Sequence, residues 1–410
     1  MHSPKRRFAQ FASQGWNATT QPAPKRTGRA PASSALGGLC VAVAASIFGG
    51  LGCGAADTEE TISEVHEAVS MSTWNQLVAM PTTGSHTLTA NIDAAGKTWT
   101  PKTFSGTFDG GNKTISNLTI NGGSFFSSLT NATIKNVKFV NLRLTGALTS
   151  GIGGLATFAT NTTIENCAVE ATINVSAGSV GGLLGTMLGG KIERSYAKGT
   201  IIGTMFYVGG LVGTAGKSSS GQAATIYRSY GQVTVNPSTD ASFPIVAGGI
   251  VGYGYAPDIH DVYAVGNVTG RGSVGGIAGK LDGEVNGPDK FLLFKSIYRG
   301  EVIDKDRSSA SGGWAGAVGT FCACTARFDQ NFYDRTLDPS SNRADQAAIV
   351  GYTTTELRSP TTVTGGVFCA PHPTGNCGDN PWGVNGEWNA GSETQHHVLT
   401  SMPGPNFQPR

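Results

Sequence analysis

The sequence predicts an all-β protein, a right-handed parallel β-helix in which short strands stack as a solenoid with terminal caps. Gly-Gly pairs followed by an apolar run recur along the chain, and runs rich in β-branched residues lie between them. The 59 glycines among 410 residues are about twice the usual share. No run has an apolar face at helical spacing, so the repeats are expected to consist of strands and turns.

The Gly-Gly pairs define the repeat unit. They begin at Gly153, Gly181, Gly209, Gly248, Gly275 and Gly312, which are 28, 28, 39, 27 and 37 residues apart. A unit this short cannot bury its own apolar side, so neighbouring units must stack and share one core, with strands about 4.8 Å apart. A β-propeller is the alternative, but its blades need about 40–50 residues each.

The repeats occupy the middle of the chain. The first and last rungs of such a stack have open edges, which must be covered. We therefore divide the chain into an export signal peptide with a lipobox-like end (1–53), a polar tether (54–73), an N-terminal cap (74–103), the repeats (104–336) and a C-terminal cap (337–410).

The first segment has the features of an export signal. Residues 36–51 are apolar throughout, and this run is too short and Gly-rich for a permanent membrane span. Cys53 follows Gly50-Leu51-Gly52, which resembles a bacterial lipobox. We expect a lipid on Cys53 and a location at the outer membrane or cell surface. Cleavage after Ala56 followed by secretion is the alternative.

The charge of the exported part excludes polyanionic partners. Six of the 29 basic residues and none of the 27 acidic residues precede Cys53, which leaves 23 basic and 27 acidic residues, or −4. A mildly acidic protein has no electrostatic field that attracts nucleic acid or anionic lipid. Contact with a membrane is therefore expected through the lipid anchor alone.

A second element recurs between the Gly-Gly anchors. It reads IERSYAKGTI from Ile192, IYRSYGQVTV from Ile226, IHDVYAVGNV from Ile259 and FKSIYRGEV from Phe294. With the anchors VGGLLG and VGGLVG, these runs resemble GLUG-motif repeat proteins, which occur in bacterial surface proteins and beside some immunoglobulin A metallopeptidases. The resemblance covers roughly residues 74–400. It implies a binding or adhesion module for extracellular polysaccharide or a cell-surface partner, or a structural component.

Aligning this second element produces a column of aromatic residues. Its members are Tyr196, Tyr230, Tyr263 and Tyr298. Facing inward, the rings would stack in the core and stabilise the array. Facing outward, they would form an aromatic strip suited to sugar rings or a partner surface. A one-residue change of register exchanges the faces, so the sequence leaves both orientations open.

The polar residues contain two patterns that resemble catalytic or metal sites. Glu165 and Glu193 are one rung apart and Arg194 is adjacent, which would suit a polysaccharide lyase or a retaining glycoside hydrolase. A solvated charged face produces such pairs routinely, however. His66 begins a pattern like that of zinc peptidases, but Ser70 stands where the second imidazole is required. We therefore predict no cofactor, no metal and no enzymatic activity, with the lyase or hydrolase as the alternative.

Cysteines near the end of the repeats predict cross-links. In an oxidising, exported context, four cysteines favour two disulfides with three possible connectivities, and a four-thiolate metal site is the alternative. The four are Cys322, Cys324, Cys369 and Cys377. Such disulfides would hold the C-terminal cap against the last rung.

Overall fold

The computed structural model describes residues 68–238, 244–305, 318–322, 325–334, 349–352, 388–389 and 398–399. All of them belong to one compact unit, residues 63–410. The export signal, most of the tether and most of the predicted C-terminal cap lie outside the described residues.

Strands dominate the described residues. A short helix, α1 (Trp74–Val78), follows the first strand, β1 (Val69–Met71). The strands up to the second Gly-Gly anchor are β2 (Thr83–Leu88), β3 (Ile92–Asp93), β4 (Lys102–Ser116), β5 (Thr119–Asn121), β6 (Phe126–Thr130), β7 (Thr133–Gly153), β8 (Ala156–Thr160), β9 (Thr163–Glu165) and β10 (Ala168–Gly181). Those of the following repeats are β11 (Leu184–Leu188), β12 (Lys191–Glu193), β13 (Tyr196–Gly209), β14 (Val212–Gly216), β15 (Thr225–Pro237), β16 (Ile245–Gly248), β17 (Val251–Tyr255), β18 (Asp258–Val265), β19 (Val268–Gly270), β20 (Gly272–Gly275) and β21 (Ala278–Asp282). The remaining strands are β22 (Phe291–Arg299), β23 (Val302–Asp304), β24 (Val318–Phe321), β25 (Thr325–Asp334), β26 (Ile349–Tyr352), β27 (Trp388–Asn389) and β28 (Val398–Leu399).

Each strand of the repeats pairs in parallel with its equivalent in the next repeat. Ile164 lies opposite Ile192, which lies opposite Ile226, and this in turn lies opposite Ile259. Strands that precede a Gly-Gly corner form one sheet, and strands that follow it form a second sheet. The prediction of an all-β protein with stacked parallel strands is confirmed, and the arrangement is β-helix-like. The propeller alternative is wrong, because its blades are antiparallel sheets.

The Gly-Gly corners are tight because successive rungs meet backbone to backbone. A Cβ atom on Gly182 would lie 2.3 Å from the carbonyl oxygen of Gly210, and one on Gly210 would lie 1.9 Å from that of Gly249. Neither Gly182 nor Gly210 has a φ angle in the left-handed region. Glycine is therefore required at these corners for space and not for backbone conformation.

A column of mostly small side chains lies inside the stack. Cys167 and Ser195 are fully buried, and the amide of Cys167 donates to the Ser195 hydroxyl at 3.0 Å. The amide of Ser195 donates in turn to the Ser229 hydroxyl at 3.2 Å. Burial raises the pKa of the Cys167 thiol to about 12. The column therefore links rungs through hydrogen bonds inside an otherwise apolar core.

A bend recurs at one position of six successive rungs. The residues at this position have left-handed backbone, with φ from 47° to 55°, and they are Asn136, Asn166, Arg194, Arg228, Asp261 and Lys295. Asn adopts this conformation more readily than other non-glycine residues. The Asn166 amide also donates to the Asn136 carbonyl at 2.7 Å, so the early bends are linked by a side-chain ladder.

Aromatic residues and α1 close the N-terminal end of the core. Thr73 caps α1 through a capping box, and Leu77 is fully buried. The rings of Trp99 and Phe125 are stacked at 4.3 Å, and Trp74 packs edge-on against Trp99 at 5.8 Å. Residues of the predicted N-terminal cap thus contribute directly to the core. Among the described residues, no helix has the length and apolar character needed to cross a membrane.

Candidate binding surfaces at and beyond the bend

The recurrent bend brings two columns of side chains together on the outside of the stack, and we call this region the outer bend. The column before the bend consists of Lys135, Glu165, Glu193, Tyr227, His260 and Phe294. The column after it consists of Lys138, Ala168, Tyr196, Tyr230, Tyr263 and Ile297.

The tyrosines of the outer bend face away from the core and are nevertheless buried. A Cβ atom on Gly182 would lie 2.4 Å from the Cβ of Ala197, so Ala197 faces the core and the preceding Tyr196 faces the other way. The exposed fractions are 0% for Tyr196, 3% for Tyr230 and 2% for Tyr263. The rings of Tyr196 and Tyr230 are stacked at 4.8 Å with 7° between their planes. These residues therefore form an outward but covered stack, which is neither of the predicted alternatives.

Tyr298 does not belong to this column. It lies opposite Ala264, while Ile297 lies opposite Tyr263. Tyr298 faces the core, where its ring occupies the space beside Gly276. The predicted four-tyrosine column is wrong at this position, because the alignment placed Phe294 opposite Ile259 and the structure places Leu293 there. A shift of one residue along a strand exchanges the two faces.

No exposed aromatic strip is formed by the four predicted tyrosines. Tyr298 is also buried, with 1% of its surface exposed. A ligand-binding role for these four rings therefore loses its basis, since sugar rings or a partner need an accessible aromatic face.

A hydrogen-bonded group covers Tyr196. Its hydroxyl donates to Glu170 at 3.1 Å, and the Lys138 ammonium lies 2.6 Å from the same carboxylate oxygen. Burial and the neighbouring Glu170 carboxylate raise the pKa of Tyr196 above its usual range. Among the described residues, the hydroxyl of Tyr230 has no hydrogen-bond partner. Removing the hydroxyl group would therefore break a hydrogen bond at Tyr196 but not at Tyr230.

The carboxylates considered for catalysis are ion-paired. Arg194 bridges Glu193, at 2.6 Å, and Glu165 in the rung before it. Lys191 lies 3.3 Å from Glu193. Burial would raise the pKa of Glu193, but the hydrogen bond from Tyr227 and the charges of Arg194 and Lys191 outweigh it, and the pKa is lowered. A glycosidase general acid requires a raised pKa, and the pKa of Glu193 is shifted in the opposite direction.

The lowered pKa of Glu193 predicts a pH-dependent stability. A carboxyl group whose pKa is depressed in the folded state stabilises the fold above its unfolded value, here near 4.5, and this contribution is lost as the pH falls through the folded pKa. We expect Glu193→Gln to lower the urea midpoint more at pH 7 than at pH 3. Glu301→Gln, at an exposed carboxylate, serves as the control. Equal pH dependence in both variants would contradict the prediction.

An aromatic stack that the sequence analysis missed lies in the column before the bend. The rings of Tyr227 and His260 are 5.2 Å apart, and those of His260 and Phe294 are 4.8 Å apart. Asp261 contacts Nδ1 of His260 at 2.8 Å. The repeats contain these aromatic residues, but the residues form one column only when Phe294 is aligned with His260. Because His260 lies between the other two rings, both of its faces are covered.

A flat polar surface continues along the same strands beyond the outer bend, and we call it the Thr/Asn face. Its first column consists of Thr119, Arg143, Thr172, Thr200 and Thr234, and its second of Asn121, Thr145, Asn174, Ile202 and Asn236. All ten residues are exposed or half-buried. They alternate with core residues such as Ile173 and Val175, which fixes their outward orientation.

The remaining predicted sites are only partly within the described residues. Cys322 is disulfide-bonded. Cys53, Cys324, Cys369 and Cys377 lie outside the described residues, as does His66. Within the described part of the chain, no group of His, Cys, Asp and Glu side chains has an arrangement that would hold a metal ion.

Comparisons with known proteins found matches among solved structures. No family model matches the sequence, and no curated protein matches it. A solved structure named IgA1 Protease is 21% identical, with a TM-score of 0.46, over 65% of this chain and 21% of that protein. The chain thus spans about a fifth of the length of that protein. A structure from Bacteroides ovatus, named as a candidate immunoglobulin A1 protease, is 18% identical, with a TM-score of 0.42, over 81% of this chain and 91% of the other.

These names correct one sequence-based prediction. We predicted that the chain is not an enzyme because its sequence contains no recognisable catalytic set. The solved structures that it resembles are named as proteases, which are enzymes, and this contradicts the prediction. The prediction of no enzymatic activity is therefore withdrawn.

Proposed function

We propose that this chain is an exported, GLUG-type repeat protein that presents a binding surface outside the cell. In this proposal the stacked strands form a right-handed β-helix, residues 1–53 direct export, and Cys53 carries a lipid that holds the protein at the outer membrane or cell surface. Secretion without a lipid is the alternative. The role is adhesion to an extracellular polysaccharide or to the surface of a neighbouring cell.

The Thr/Asn face is the observation that carries this proposal. Thr172, Thr200 and Thr234 lie opposite one another in successive rungs and point away from the core. Parallel pairing of the rungs repeats the same side chain at the strand spacing of about 4.8 Å. A surface with such a regular chemical repeat is suited to a partner that is itself repetitive or extended, as polysaccharides are.

Membrane anchoring is tested through the cysteine that would carry the lipid. We expect the full chain, expressed in a bacterium, to enter the detergent phase after phase separation, and Cys53→Ser to move to the aqueous phase or the medium. Ser70→Ala, at an exposed position of β1, is the control. Identical partitioning of the wild-type chain and Cys53→Ser would contradict the anchor and favour secretion.

Binding is tested with the exported full chain. It is incubated with a panel of insoluble polysaccharides and with intact bacterial cells, and bound protein and released oligosaccharide are measured together. Retention on a polysaccharide or on cells supports the proposal. Retention on neither supports a purely structural surface component, whereas released product would show a polysaccharide-cleaving activity.

A further inference from the structure

We propose that the Thr/Asn face binds an uncharged polysaccharide chain that runs across the rungs. This inference rests on the proposed function and names the surface and the class of ligand. The partner is recognised by hydrogen bonds between its hydroxyl groups and the threonine and asparagine side chains of consecutive rungs.

The charge of the face selects an uncharged partner. Arg143 is the one ionised side chain among the ten residues of the face. The next column towards the bend contains Glu170, Lys198 and Gln232, whose formal charges cancel. An anionic polymer is held by a field of many basic groups, and this surface does not provide one. Charge complementarity therefore favours a neutral, hydroxyl-rich chain over an acidic one.

The side chains of the face have unused hydrogen-bonding capacity. Within the described part of the chain, Thr172, Thr200 and Thr234 make no side-chain hydrogen bond to another residue. The asparagines of the bend differ, because Asn166 and Asn136 are bonded to each other at 2.7 Å. Each threonine hydroxyl offers one donor and two acceptor positions, and each asparagine offers two donors and an acceptor oxygen. Such groups match the hydroxyls of a sugar polymer.

The geometry of the stack orders these groups in two directions. Successive rungs place equivalent side chains about 4.8 Å apart, and alternate residues of one strand lie about 6.6–6.8 Å apart. An extended chain lying across the rungs meets a new hydroxyl or amide at each rung. The rigid pairing of β10, β13 and β15 holds these groups in place before binding, which lowers the entropic cost of association.

The test removes hydroxyls without changing shape. Valine has nearly the shape of threonine, so the triple change Thr172→Val, Thr200→Val and Thr234→Val deletes hydrogen bonds and preserves the β-branched surface. The matched control is the triple change Thr130→Val, Thr160→Val and Thr186→Val on the outside of the second sheet. Circular dichroism and the urea midpoint confirm that both variants remain folded.

Affinity is measured for the exported full chain against neutral probes, a β-1,4-glucan, a β-1,3-glucan and a galactomannan, and against anionic probes, polygalacturonate and alginate. We expect binding to a neutral probe, weakened about tenfold or more in the Thr/Asn-face variant and unchanged in the control variant.

Four other results would overturn the inference. Binding to the anionic probes alone would reject the neutral ligand, and equal binding by wild type and variant would reject the Thr/Asn face. Binding to intact cells but to no polysaccharide would reject the ligand class and leave the proposed adhesion role standing. Binding to neither cells nor polysaccharides would remove both proposals.

Discussion

The Gly210→Ala variant is expected to lose about 3 kcal/mol or more of stability and to disrupt the middle of the stack. The added Cβ would lie 1.9 Å from the carbonyl oxygen of Gly249, a backbone atom of the next rung. No side-chain rotation relieves this contact, so the two rungs must separate. Separation would break the hydrogen bonds that the backbone amides of Leu211 and Val212 donate to the carbonyl oxygen of Ile250 at the same corner. The urea midpoint, followed by circular dichroism, measures the effect.

The matched control for this prediction is Gly216→Ala. The nearest atom to a Cβ at Gly216 is Cδ2 of Leu188, at 3.5 Å, which is an ordinary contact with a flexible side chain. We expect its midpoint to differ little from that of the wild-type chain. If Gly210→Ala and Gly216→Ala have equal midpoints, the backbone-to-backbone contact at the Gly-Gly corner does not limit stability.

Tyr230 is the second residue for which a large effect is expected. Its ring is 3% exposed and stacks on Tyr196 at 4.8 Å, so Tyr230→Ala would leave a cavity costing about 3–5 kcal/mol. Tyr230→Phe preserves the ring and removes a hydroxyl that has no partner among the described residues. We therefore expect unchanged or slightly increased stability for the phenylalanine variant, because a buried unsatisfied polar group is destabilising.

Two further variants make the Tyr230 result specific. Tyr196→Phe removes a hydroxyl that donates to Glu170 at 3.1 Å, and it should cost about 1.5–3 kcal/mol, as expected for a hydrogen bond to a charged group. Val285→Ala shortens a side chain that is 56% exposed and should shift stability by less than about 0.5 kcal/mol. An equal loss in Tyr230→Phe and Tyr196→Phe would contradict the hydrogen-bonding assignments, and a wild-type midpoint in Tyr230→Ala would contradict the covered stack.

The class of fold could be predicted because it depends on features that every repeat shares. Units of 27 or 28 residues are too short to bury a core alone, so stacking was required by size. The Gly-Gly anchors aligned the units without any structure, and Gly181, Gly209, Gly248 and Gly275 are indeed equivalent in the parallel pairing. The repeated spacing of the Gly-Gly pairs therefore predicts a parallel stack of strands.

The candidate surfaces could not be predicted in the same way, because a shift of one residue in strand register moves a side chain from one face to the other. Tyr298 shares a sequence pattern with Tyr263, yet it pairs with Ala264 and faces the core. Tyr196 and Tyr230 also face outward and are buried, because their rings stack on each other and the Glu170–Lys138 pair lies at the Tyr196 hydroxyl, whereas simple alternation would leave both rings exposed.

Spacing and composition alone were thus sufficient to predict the stacked, all-β repeat. The tertiary structure decided which outward residues reach solvent, and it placed Thr172, Thr200 and Thr234 there instead of the tyrosines. The physical reason is that stacking depends on the length of the repeat, whereas exposure depends on strand register and on the bend, and a shift of one residue reverses the face.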